Sequence, residues 1–314
     1  MNKDEFEAKA KEYVAELNAN GHEMYTHNFL SKIKIKDIEL KREHFLSRDL
    51  RKMNDEELFN AILEAISFDI DGQQVSFLKP RIGTYPKGTR FYRIRKLGVN
   101  DHYIPLKALS KKQDAWNAPE KFCKLGRLNK EGESLLYTVP QIPFIAVEEM
   151  KVQDNEWFLL IVYESIKDIK ANMIGTWNDS EEFSEDENLK MRMINNTLGM
   201  IFTKDVGKGT EFLYRASERI AKDYFDLPKE IQDAWCYPSV AAKKGYNVCF
   251  RPEVASEVLS LVGIQVCKVC RIGGGYQFTC PIIAIWEERE NRYEYLPVNS
   301  EECGRLFPEL QISK

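Results

Sequence analysis

Four segments of the chain carry residue types suited to binding and splitting a charged substrate. They are Phe91-Tyr92-Arg93-Ile94, Gly126-Arg127-Leu128-Asn129, Leu136-Tyr137-Thr138 followed by Glu148, and Tyr237-Pro238-Ser239 followed by Asn247. Arg127 stands ten positions before Tyr137, and Tyr137 eleven before Glu148. A guanidinium is a rigid, planar fork of donors that fits phosphate or carboxylate oxygens better than an ammonium does. A carboxylate held in place stabilises positive charge that builds in a transition state, and it can orient an incoming nucleophile. A tyrosine ring offers a flat face for stacking. Each residue also has an ordinary structural role open to it. Arg127 fits an exposed turn. Arg93 fits an edge-strand ion pair, with Arg90 or Arg95 as the ligand instead. Tyr137 fits a core position on a strand, Ser239 a turn after proline, and Asn247 a structural brace for the turn between Tyr237 and Phe250. Glu148 and Glu149 are neighbours, which a helix sets about 100° apart; the spacing from Tyr137 selects Glu148.

The elements that must position these residues change character near residue 88. Residues 1–88 read as mainly helical. Met1–Asn20 places Phe6, Tyr13, Val14 and Leu17 on one helix face, and Gly21 stops it. A second helix is expected over Asn54–Ile66, with Asn54 as N-cap and Asp55, Glu56 and Glu57 in its first turn. Asp71-Gly72 marks a turn. Pro80, Gly83, Pro86 and Gly88 read as a boundary loop. Beyond it come strand-like runs at Arg90–Arg95, Ser134–Thr138, Trp157–Glu164 and Asn247–Phe250. Helices near Ile142–Met150 and Glu211–Phe225 separate them, Thr210 being the candidate N-cap of the second. A short helix over Glu253–Leu261, a strand over Ile264–Arg271, a glycine turn at 273–275 and a longer strand over Tyr276–Glu287 follow. The fold class is α+β. The expected units are a helical segment at 1–88, free to act as a regulatory or partner-binding module, a central domain at 89–270, and a C-terminal strand and cap at 271–314.

Composition limits the function classes. The chain has 314 residues with 43% hydrophobic and 30% charged, a globular profile with material for a sizeable core. Its formal net charge is −4, and a nucleic-acid binder usually carries a basic excess, so nucleic acid is an unfavoured partner. No run is long and apolar enough to span a bilayer. Seven cysteines, an odd number in a long chain, fit free thiols in a reducing cytoplasm. Cys267 and Cys270, with Cys280 and Cys303, suggest zinc at first sight. Positions three apart on a strand face opposite sides, however, and no metal site is expected. Gly273-Gly274-Gly275 precedes a strand and not a helix, so it reads as a turn and not a phosphate loop. His22, His27, His44 and His102 read as surface histidines. The acidic stretch Asp179–Glu187 reads as a solvated segment.

Taken together, the four segments resemble the RES family, named for its arginine, glutamate and serine. The family pattern runs from an arginine on a first strand, through a Gly-Arg-Trp-Asn turn and a tyrosine-bearing strand, to a helix ending in glutamate; a Pro-Ser turn and an asparagine before an apolar strand come later. The resemblance covers about 89–270. It departs from the pattern at Leu128, where the family has tryptophan, and in the extra segments on either side. It implies an ADP-ribosyltransferase-like mixed α/β fold and an enzyme that cleaves the nicotinamide–ribose bond of NAD⁺, by hydrolysis or phosphorolysis, with NAD⁺ as substrate and no separate cofactor. It also implies a toxin role, with a cognate antitoxin as protein partner. Other members of the family are linked to ADP-ribosylation of a protein, and a fold kept without activity, serving as a scaffold, is the alternative of another class.

The residue types fit what the resemblance implies. Nicotinamide leaves NAD⁺ as a neutral molecule and needs no general acid. The ribose carbon, by contrast, gains positive charge in an oxocarbenium-like transition state. Glu148 is the expected carboxylate for that charge, with Tyr137 and Ser239 beside it as catalytic residues. Arg93, Arg127 and Asn247 are the expected substrate-binding residues, the arginines facing the pyrophosphate.

Overall fold

The computed structural model describes residues 22–97, 104–207, 209–242, 244–273 and 275–310. The helix expected over Met1–Asn20 lies outside the described residues. The chain divides into two compact units, one formed by Met1–Lys79 with Trp177–Thr197, the other by Pro80–Thr176 with Leu198–Lys314.

The first unit holds helices α1 (His22–Lys32), α2 (Ile35–Ser47) and α3 (Asp55–Ala65). The short hairpin of β1 (Ser67–Ile70) and β2 (Gln73–Ser76) follows. Asn54 caps α3 as its sequence predicts: its side chain accepts from Glu57 N, and the Glu57 carboxylate accepts from Asn54 N. The hairpin turns through Asp71 and Gly72, both at positive φ, the backbone that a two-residue turn between twisted strands requires. The apolar faces meet in one cluster of Phe29, Leu30, Ile33, Ile38, Phe68 and Phe77 with Phe183, Met191 and Ile194. The last three come from far along the chain. Lys190 Nζ donates to the Leu30 carbonyl at 2.9 Å, and His27 Nδ1 meets Glu187 Oε1 at 2.7 Å.

The second unit is built on a ten-stranded sheet. Its strands are β3 (Ile82–Tyr85), β4 (Arg90–Lys96), β5 (Leu136–Pro140), β6 (Trp157–Ser165), β7 (Ile169–Met173), β8 (Ala234–Pro238), β9 (Tyr246–Phe250), β10 (Leu259–Ile272), β11 (Gly275–Glu287) and β12 (Arg292–Pro297). Their order is β12-β11-β10-β6-β4-β5-β9-β8-β7-β3. Among the described residues only β7 and β8 pair in parallel. Helix α4 (Pro143–Glu149) follows β5, α5 (Glu185–Phe202) and α6 (Leu213–Tyr224) lie between β7 and β8, α7 (Pro252–Val258) precedes β10, and α8 (Glu301–Leu306) follows β12. The molecule is therefore a mixed α and β protein, as expected at that level.

Period-two alternation sorts each strand onto two faces. Phe91, Leu136, Ile161, Tyr163, Val248 and Phe250 enter one core cluster. Tyr92, Ile94, Val139, Leu160 and Val162 enter another, which α4 covers with Ile145, Ala146 and Val147. With both faces covered, β6 is apolar nearly throughout, Phe158 to Tyr163 being fully buried. Among the described residues no helix is long and apolar enough to cross a membrane.

The expected divisions need correction. The boundary falls at 79/80 and not at 88, because β3 pairs with β7, Tyr85 opposite Ile169. The first unit is not helical alone, and it takes in 177–197 to complete its core. The division at 270 falls inside β10; the β10–β11 hairpin and β12 continue the same sheet.

Candidate functional site

Register brings the expected residues to neighbouring strands. Tyr137 on β5 lies opposite Cys249 on β9, which lies opposite Trp235 on β8. One step along, Tyr237 lies opposite Asn247. These residues share the sheet face that α4 covers. The helix begins with Pro143, whose missing N–H costs nothing there, and its C-terminal turn carries both glutamates.

The structure selects Glu149 and not Glu148. Glu149 Oε1 accepts from Ser239 Oγ at 2.5 Å and from Asn247 Nδ2 at 2.9 Å. Helix geometry explains the choice. Glu149 lies four residues after Ile145, which faces the core, whereas Glu148 lies four after Phe144, which is exposed. The apolar pattern of the helix held that signal; the spacing from Tyr137 pointed one residue short. Ser239 is buried, its amide donates to the Gly245 carbonyl, and its hydroxyl also accepts from Ala242 N. Its oxygen is thus held from both sides. Asn247, expected as a substrate ligand, instead braces this carboxylate.

Tyr137 has a different task from the one expected. Its hydroxyl donates to Asn129 Oδ1 at 2.8 Å and accepts from Leu128 N at 3.2 Å. Both of its hydrogen bonds therefore go to the 126–129 turn. Gly126 is required there: a Cβ would stand 2.3 Å from Asn129 Oδ1 and 3.2 Å from the Tyr137 hydroxyl. Leu128 takes the buried place in the turn, fully enclosed, so the turn closes over a leucine. Burial raises the Tyr137 phenol well above the usual range, as do the neighbouring Cys249 and Tyr237.

That turn presents Arg127. Its Nη2 donates to the Lys204 carbonyl at 3.0 Å, and its guanidinium carbon lies 5.4 Å from the centre of the Tyr214 ring. Its Nη1 is buried and makes no hydrogen bond among the described residues. Tyr237 joins the two charged groups. Burial pushes its phenol up, Cys249 and Glu149 add to the rise, and Arg127 opposes it. Tyr237 therefore lies within the field of both a carboxylate and a guanidinium.

Arg93 is not part of this group. It lies opposite Ile161, on the other face of the sheet. There it sits by Tyr163 and partly offsets the burial that raises that phenol. Its neighbours on β4 are engaged as well. Arg95 Nη1 donates to the Ala108 carbonyl at 2.7 Å, and Arg90 Nη2 to the Leu306 carbonyl at 2.8 Å. A period of two separates Arg93 from Tyr92, so a strand assignment made from its first residue already puts Arg93 on the opposite face from Tyr92 and Ile94.

Comparison of the chain with protein-family models, curated proteins and solved structures finds no match. The site therefore rests on its own geometry. Among the described residues no group of three or more His, Cys, Asp or Glu side chains is arranged to hold a metal ion. Cys267 and Cys303 are buried in the core cluster that Cys280 packs against. A cavity of about 1050 Å³ opens elsewhere in the second unit, with Trp116, Trp286, Arg90 and Glu164 among its lining residues, and shares none of them with the Glu149 group.

Sequence reasoning gave no role to three members of this neighbourhood: Tyr237, Tyr214 and Glu218. The last two lie four apart on α6 and share a side of it with Lys222. Glu218 is only 6% exposed, and its Oε1 has no hydrogen-bond partner among the described residues. Desolvation raises its carboxyl, against the pull of Lys130. Lys222 Nζ donates to Glu133 Oε1 at 2.5 Å and lies over the Trp235 ring.

Proposed function

We propose that this protein cleaves the nicotinamide–ribose bond of NAD⁺, as a RES-type enzyme with an ADP-ribosyltransferase-like fold. The observation that carries the reading is the Glu149 carboxylate, held by Ser239 and Asn247, with Arg127 close enough to act on the same Tyr237 phenol. Such a site has a negative pole and a positive pole. It suits a ligand that is cationic at one end and anionic a few atoms away, which describes nicotinamide ribose joined to pyrophosphate.

In this reading Glu149 faces the ribose carbon. The bond from that carbon to the pyridinium nitrogen breaks, and its electron pair stays with nicotinamide, which leaves neutral. Positive charge on the ribose is stabilised by a carboxylate that does not have to reorganise. Oxygen of water or phosphate then bonds to the same carbon, and a water nucleophile gives up its proton through Glu149. Arg127 meets a phosphoryl oxygen with its unused N–H. Tyr137 works at one remove, by holding the turn that presents Arg127.

The test is incubation of the protein with NAD⁺, with and without phosphate, and identification of products by mass spectrometry. Nicotinamide with ADP-ribose, or with ADP-ribose 1″-phosphate, supports the reading and names the nucleophile. Intact NAD⁺ under both conditions contradicts it. ADP-ribose found on the protein itself, or on an added protein, makes the chain a transferase.

A further inference from the structure

Arg127 is held more tightly than an exposed turn residue needs to be. Its Nη2 is tied to the Lys204 carbonyl, its guanidinium lies over the Tyr214 ring, and its Nη1 is buried with no partner among the described residues. A carbonyl at one corner and a ring beneath fix the plane and the rotation of the fork together. A charged donor that is buried and unused calls for an explanation, and an arriving oxyanion supplies one.

Other donors nearby are already committed. The Gly207 amide donates to Thr210 Oγ1 and the Gly209 amide to the Glu211 carboxylate. The turn before α6 therefore spends these two amides on its own side chains, while Arg127 keeps a donor with no partner among the described residues. Glu149 acts on the Tyr237 phenol as Arg127 does, with the opposite sign, and its negative charge disfavours an anion beside it.

We propose that Arg127, Tyr214 and the Lys204 carbonyl form a preset seat for the phosphoryl group of a nucleotide, with Tyr214 as the residue that positions the guanidinium. This deepens the NAD⁺ reading and rests on it for the identity of the nucleotide. Tyr214 touches Arg127 and acts through it; it is a positioning residue. Its ring face does the positioning, so phenylalanine should serve in its place and leucine, of similar apolar bulk, should not.

The experiment is titration calorimetry of ADP-ribose, and separately of inorganic pyrophosphate, into the full chain and its Tyr214→Phe, Tyr214→Leu, Arg127→Lys and double Tyr214→Leu/Arg127→Lys variants at two salt concentrations. Neither probe needs turnover. Tyr214→Phe is expected to bind within about twofold of wild type. Tyr214→Leu and Arg127→Lys are each expected to weaken binding about tenfold, with thermal midpoints unchanged. In the Arg127→Lys background, Tyr214→Leu should add nothing, because the two act on one contact. Binding to Tyr214→Leu at wild-type strength, or full additivity in the double variant, overturns the positioning role while leaving the NAD⁺ reading intact. A wild-type chain that binds pyrophosphate and not ADP-ribose keeps the seat and removes the NAD⁺ reading. Binding of neither probe removes the seat.

Discussion

Glu149 is useful in the proposed reaction because its position is over-determined. Two donors, one just past the end of β8 and one on β9, meet one of its oxygens, so the carboxylate cannot swing as the ribose charge develops. Removing one donor should lower the rate without removing the group itself. A hydrogen bond to a charged partner contributes about 1.5–3 kcal/mol, which corresponds to roughly tenfold to a hundredfold in rate. Ser239→Ala and Asn247→Ala are each expected to lose kcat in that range, with KM for NAD⁺ little changed, since neither side chain is assigned to the pyrophosphate. Steady-state kinetics checks this. A rise in KM at constant kcat would mean that the pair binds substrate and does not brace Glu149. At this scale the sequence was partly legible. Order and spacing brought the Pro-Ser turn and Asn247 together with a glutamate of α4. The choice between two adjacent glutamates depended on which face of α4 meets the sheet. Arg93 was misplaced because strand alternation was not carried through from its neighbours.

The helices and strands set the environment of these groups, and α6 shows how. Its buried carboxyl at Glu218 is raised, first by desolvation, with Glu133 and Asp223 adding to the rise and Lys130 and Lys222 opposing it. Desolvation also raises Asp223, against Arg219. A carboxyl with a folded-state pKa above its unfolded value favours folding most when protonated. Its contribution is fully present below the unfolded pKa and is lost as pH rises through the folded one. Near neutral pH, Glu218 is therefore a net cost. Glu218→Gln is expected to raise the thermal midpoint at pH 7 by about 2 °C and to leave it nearly unchanged near pH 4, by scanning calorimetry at both values. A lower midpoint at pH 7 would show that Glu218 is a satisfied ion-pair partner. Many elements of the second unit could be read from the sequence within a few residues, because β6 is a continuous apolar run and α4 opens on a proline. Helices α1 and α2 could not. Lys34 gives α2 no side-chain cap, and only Ile38 and Phe45 of α2 are buried, so the stripe is too thin to read.

Across the whole molecule, the surprise is that the first unit is discontinuous. Its core draws Phe183, Met191 and Ile194 from a segment a hundred residues beyond Phe77. No sequence pattern near residue 80 announces that return, since the pairing is non-local. The idea of a separable 1–88 module changes accordingly. A chain beginning at Lys87 loses β3, the edge strand that pairs with β7, and strips the partners from 177–197. Such a chain is expected to aggregate or to melt at least several degrees below full length, by light scattering and circular dichroism. Recovery of a soluble, cooperatively melting fragment with full activity would show that the first unit is dispensable despite its shared core.

The central claim is that Glu149 is the carboxylate that stabilises the reacting ribose, and the decisive measurement is nicotinamide release from NAD⁺ by Glu149→Gln and Glu148→Gln, purified side by side. Both substitutions keep size and remove charge. Loss of one preorganised electrostatic group costs about 10²–10³ in rate. Glu149→Gln is expected to fall by at least that factor at an unchanged thermal midpoint, while Glu148→Gln stays within about threefold of wild type. The reverse order, with Glu148→Gln inactive and Glu149→Gln active, would contradict the account.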